Sequence, residues 1–129
     1  MSDLKPVGEP IMFDGVERHL LFDLNVVDEI QERFDAPLED VMDGLTDDRK
    51  MAGTMKSVLA ALLNDEVDRL DHKGEKHEMK KYTEKEIGWL VSKENMYEVA
   101  FALYKAYGAS LPEPDEFEAP NAESGQQKE

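Results

Sequence analysis

His77-Glu78-Met79-Lys80-Lys81 opens like the zinc-binding helix of a metalloprotease, where two histidines four residues apart hold the ion and the glutamate beside the first acts as base. Lys81 stands in place of the second histidine, and an ammonium there opposes a cation. His72 and His77 share one strongly charged stretch and read as solvated imidazoles rather than a ligand pair. A metal-dependent hydrolase built on them would take up zinc tightly, and that is not expected. His19, beside Arg18 in a strand-like run, is expected to face water. Asp23-Leu24-Asn25 begins like a calcium loop, but Val27 and Asp28 fall where a further oxygen ligand and the loop glycine belong. Asp40 and Asp43 before Gly44 fail similarly. There is no glycine-rich phosphate loop, no Gly-x-Ser-x-Gly elbow, and no cysteine to serve as nucleophile, disulfide or metal ligand. With 30 acidic residues, paired carboxylates are too common to mark an acid/base dyad. The sequence predicts no catalytic residues, no metal and no cofactor, hence a protein that binds rather than an enzyme.

What remains is apolar. Met12, Met42, Met51, Met55, Met79 and Met96 are internal, and flexible thioethers suit both irregular cores and surfaces that accept varied apolar ligands. Taken singly, each methionine reads first as core, and Trp89 as a core anchor. Tyr97, Phe101 and Tyr104 share one side of a helical run, and with Met51, Met55 and Trp89 they form the predicted partner-binding set.

The elements that must position this set begin with a hairpin. Asp14-Gly15 is a turn dipeptide that pairs Ile11 to Phe13 with Val16 to Phe22, where Val16, Arg18, Leu20 and Phe22 share the more apolar face. The period then lengthens. Leu24, Val27, Ile30 and Phe34 predict a helix capped by Asp23 or Asn25, ending at Asp35 in a left-handed conformation before Pro37. A short helix carries Leu38, Val41, Met42 and Leu45, with Asp43-Gly44 as its stop. Thr46 is predicted to cap a third helix with the inner stripe Met51, Met55, Val58, Leu59 and Leu62, and residues 64–82 to form a charged loop, with one more helical turn at its start as an alternative. Thr83 and Glu86 have capping-box spacing for a fourth helix carrying Ile87, Leu90 and Val91 inward. The fifth opens at Ser92 or Asn95 and ends at Gly108. It is apolar over more than half its circumference, which favours a central position in a bundle over a second face for a partner.

The expected fold is therefore mainly α, about five helices with a short N-terminal β-hairpin and a disordered acidic C-terminal tail. Residues 1–10 form a loose lead, 11–111 a single domain, and 112–129 the tail. The formal net charge of −15 argues against nucleic-acid binding, which needs clustered Lys and Arg to release counterions. No apolar run reaches membrane-spanning length and the start lacks a signal-peptide pattern, so a soluble intracellular protein is expected.

The order of phrases carries a resemblance. Asp14-Gly15-Val16-Glu17-Arg18, Leu21-Phe22-Asp23-Leu24-Asn25, Ile30-Gln31-Glu32-Arg33-Phe34, Leu38-Glu39-Asp40-Val41, a helix from Lys50 to Leu63, Tyr82-Thr83-Glu84-Lys85-Glu86-Ile87-Gly88 and a last helix before an acidic tail resemble the tail assembly chaperones of long-tailed bacteriophages and the similar proteins of gene transfer agents. Asp35 departs from the pattern where glycine is expected, and the 64–82 stretch is long for it. The resemblance implies a helical protein of the infected host's cytoplasm, absent from the mature virion. It would keep the tape measure protein soluble while tail tube subunits assemble around it. Tape measure protein is the implied partner, with tail tube protein and self-association as further ones. The alternative is an acidic inhibitor that imitates DNA, which the charge allows.

Overall fold

The computed structural model describes residues 7–111. Within them an antiparallel hairpin, β1 (Glu9–Phe13) and β2 (Val16–Leu20), precedes five α-helices: α1 (Leu24–Phe34), α2 (Leu38–Asp43), α3 (Met51–Lys73), α4 (Glu84–Leu90) and α5 (Met96–Ala109). The mainly helical fold with an N-terminal hairpin is the one the sequence predicts; the tail expected at 112–129 lies outside the described residues, as does most of the N-terminal lead. Asp14 and Gly15 both have positive φ, 55° and 81°, as a two-residue turn matched to strand twist requires.

Helix α3 is the axis of the domain. Its Val58, Leu59, Leu62 and Leu63 are fully enclosed, with β2, α1 and α4 packed around them. Helix α1 is capped by Asp23, whose carboxylate accepts the Val26 amide at 2.9 Å, and stopped by Asp35 at φ 53°. It buries Val26 and Ile30; Leu24, expected on the inner stripe, is exposed because it lies to one side of the first turn. Thr83 and Glu86 form the predicted capping box at the start of α4.

Two expectations are corrected here. Thr46 does not cap α3: its hydroxyl donates to the Asp43 carbonyl at 2.8 Å inside a 3-10 turn, Gly44–Thr46, and α3 starts five residues later. That turn seats Gly44 so closely on α3 that a Cβ there would lie 2.6 Å from the Thr54 hydroxyl. The second concerns the charged loop. Residues 64–73 continue α3 for almost three more turns, to a left-handed Gly74, and only the rest of the stretch is non-helical. Its polar residues fooled the periodicity because several of them point inward.

Candidate partner-binding surface

The first chemistry to weigh is that inward-pointing cluster. Glu66, on the added part of α3, is enclosed, and so is Arg18 of β2. Arg18 Nε donates to Glu66 Oε1 at 2.7 Å, and its two terminal nitrogens donate to the carbonyls of Leu63 and Lys80 at 2.8 and 3.2 Å. His19 is buried rather than facing water, with Nδ1 2.8 Å from Glu66 Oε2 and Nε2 3.1 Å from Glu17. Burial resists ionisation of Glu66, but hydrogen bonds from Arg18 and His19 outweigh it and hold the carboxyl below its ordinary range. Its neighbour Asp65 moves the other way. Burial, then contact with the Asp23 carboxyl, pushes Asp65 up to about 6, although Arg69 Nε stands 2.9 Å away.

These groups tie elements together. Each polar atom of Arg18 and Glu66 is spent on a structural partner, so the cluster leaves no group free to attack or to ligate. Asn64 extends the same function: its amide accepts the Tyr82 N–H at 2.7 Å and donates to the Tyr82 carbonyl at 2.9 Å, holding the segment after Gly74 back along α3. Tyr82 then packs edge-on against Phe13, with its hydroxyl donating to Asp14 at 3.0 Å. Among the described residues no three His, Asp or Glu side chains gather as a metal site, and His77 is held by Asp71 at 2.7 Å.

The apolar candidates fall into two places. Met51, Met55, Val91 and Met96 line an open cleft of about 370 Å³ where the start of α3 meets the α4–α5 junction, with Lys56 and Lys93 among its walls. Asn95 shapes this corner by accepting the Ser92 amide and donating to the Leu90 carbonyl, which closes α4 onto the first turn of α5. Gly88 lies so near that a Cβ would meet the Lys56 side chain at 3.2 Å. Met55, expected among the docking residues, is 3% exposed and forms the floor of the cleft. Met51 is half-buried at the rim.

The remaining candidates are aromatic. Trp89, next to Gly88, is 74% exposed rather than a core anchor, and Tyr97 and Phe101 are 73% and 64% exposed. Tyr104 is partly covered, its hydroxyl reaching the Met42 carbonyl at 3.4 Å. Helix α5 thus buries Val99, Ala102, Leu103 and Ala106 and turns the aromatic strip Tyr97, Phe101, Tyr104 outward; it is not a central helix. Sequence reasoning missed Val91 and Met96 as lining residues. The available signal was Met96, which falls beside the Ser92–Asn95 turn where two helices must diverge.

No protein-family model matches this chain, and no match was found among curated proteins or solved structures. No helix among the described residues is long and apolar enough to cross a membrane.

Proposed function

We propose that this protein is a holding chaperone of the phage tail assembly type, which keeps the long tape measure protein soluble until tail tube subunits enclose it. The observation that carries the reading is the pairing of a methionine-lined cleft with a strongly acidic body. Thioethers adapt to many apolar side chains at small entropic cost, which suits a client whose helical segments vary along its length. Net charge keeps a coated client dispersed. The reading rests on the resemblance carried by the order of phrases in the sequence. On this reading a client helix lays its apolar stripe into the cleft, with Met51 and Met96 on its sides and Met55 beneath. Trp89 is a further exposed apolar side chain, on the helix that contributes Gly88 to the cleft. The protein would act in the host cytoplasm and leave before the particle is complete.

The test is co-expression with a tape measure protein of a long-tailed phage, following the client between pellet and supernatant. The wild type should move the client into the supernatant and co-elute with it in high salt; Met51→Glu with Met96→Glu should leave it in the pellet. A client that stays insoluble with wild-type protein sinks the proposal. Binding that collapses as salt is added would favour the DNA-imitating inhibitor instead, because screening weakens charge contacts and spares apolar ones.

A further inference from the structure

The outward strip of α5 has a period that the cleft does not need. Tyr97, Phe101, Tyr104, Gly108 and Leu111 recur at steps of four, three, four and three, the spacing of a coiled-coil seam, and Leu111 lies just past the helix end. Tyr97, Phe101 and Leu111 are exposed and Tyr104 is partly so, and the whole seam lies opposite the buried residues Val99, Ala102, Leu103 and Ala106. The seam is thus a complete second face on a helix whose first face already fills the core.

We propose that this face pairs with the same face of a second copy, the two α5 helices running antiparallel about a two-fold axis between Phe101 and Tyr104. The flanking charges decide for a second copy and for that direction. Glu98 and Lys105 occupy equivalent heptad positions on one flank of the seam, each one residue past a seam tyrosine. In antiparallel pairs equivalent flank positions face one another, so Glu98 of each copy meets Lys105 of the other, twice by symmetry. A parallel pair would set them against the opposite flank, where Ala100 and Tyr107 sit; Ala100 is buried, and Tyr107 packs edge-on against Phe22. The antiparallel register also places Phe101 opposite Tyr104 and lets Tyr97 lie over Gly108, where no side chain obstructs it. Lys105 is already held over the Phe101 ring and near Glu9, which restrains its ammonium beside the seam.

The area fits a reversible pair. At about 150–250 Å² per large side chain, the exposed parts of Tyr97, Phe101, Tyr104 and Leu111 give roughly 400–500 Å² per copy. With the flanks, the pair would bury about 1,200 Å², the lower end for specific association, so a dissociation constant near the micromolar range is expected. The pairing does not depend on the chaperone reading, since it concerns the opposite side of α5 from the core and requires no client.

Sedimentation of the full chain across about 1–200 μM tests it, a range chosen to bracket a micromolar constant. The wild type should shift from monomer to dimer, and Phe101→Glu should stay monomeric with an unchanged helical melting curve. Glu98→Lys alone and Lys105→Glu alone should each weaken self-association roughly tenfold by setting like charges together. Mixing those two variants should restore a dimer containing one of each, because both cross-pairs are then attractive. That rescue separates a contact between copies from damage within one. A chain that stays monomeric throughout, or a dimer indifferent to Phe101→Glu and to the charge exchange, overturns the proposal. So does a Phe101→Glu protein that loses a coiled-coil client while wild type is monomeric, which would give the seam to the client.

Discussion

Residues 64–73 of α3 and the outer face of α5 reverse the usual relation between polarity and position. The first is among the most polar stretches of the chain, yet Glu66 is 3% exposed; the second carries aromatic rings, yet Phe101 is 64% exposed. The difference lies in partners. Glu66 meets a guanidinium, an imidazole and a backbone amide, so its charge is compensated on both oxygens. Among the described residues the rings of Tyr97 and Phe101 have no comparable apolar partner across from them, because the core is already closed on the other side of the helix. A buried polar group with all its partners fixes a fold, whereas an exposed apolar strip with none is available for binding.

The sharpest way to break the polar side is Glu66→Leu. It leaves the Arg18 guanidinium enclosed without its carboxylate, and a loss of about 3–5 kcal/mol is expected by urea unfolding. Adding Arg18→Met to that variant should recover most of the loss, because an apolar pair no longer carries an uncompensated charge. If the double variant is as unstable as the single one, the ion pair is not what holds β2 to α3.

Gly44→Ala comes next. The new methyl would stand 2.6 Å from the Thr54 hydroxyl, and a cost of about 1–3 kcal/mol is expected in the same measurement. Thr54→Ser keeps the hydroxyl and should not relieve the clash, whereas Thr54→Ala alongside Gly44→Ala should.

The two neighbouring acids give opposite responses to pH. Asp65, raised to about 6 in the fold, favours the protonated form, so its contribution is present at low pH and is lost as pH rises from about 4 through 6. Glu66, held low, contributes above its ordinary range near 4.5 and loses that contribution as pH falls. Asp65→Asn should therefore raise stability at pH 8 by about 1–2 kcal/mol, after allowing for water at the Asp23 side, and make little difference at pH 3.5. Melting curves of both proteins across this range would check it; an equal shift at both ends would mean that burial and the Asp23 carboxyl do not set the titration.

The smallest expected effects on folding belong to the apolar surface. Trp89→Ser or Phe101→Ser should change stability by no more than about 0.5 kcal/mol, since neither ring fills a cavity. A loss of several kcal/mol at either site would mean that the ring is structural and would remove the contrast with Glu66.

Much of the fold was legible because its signals are local. Asp14-Gly15 needs two positive φ angles, Asp35 accepts a left-handed one, and Thr83 with Glu86 satisfies two amides reciprocally. Each depends on residues a few positions apart. The extension of α3 was not legible, because Glu66 enters the interior only where Arg18 and His19, over forty residues earlier, come to meet it. The candidate surface divides the same way. The helical spacing of Tyr97, Phe101 and Tyr104 places them on one face whatever the fold, but which face of α5 the core takes depends on the elements packed against it.

The sequence by itself determined the hairpin, the presence of five helices and the end signals at Asp23, Asp35 and Thr83, since these follow from backbone sterics and side chains within a turn of one another. Only the tertiary structure decided that Met55 is floor and Phe101 is surface, and that an acid-rich stretch is helix rather than loop. Burial is a property of pairs distant in the chain. Hydropathy, read one residue at a time, records the cost of leaving water and not whether a partner awaits.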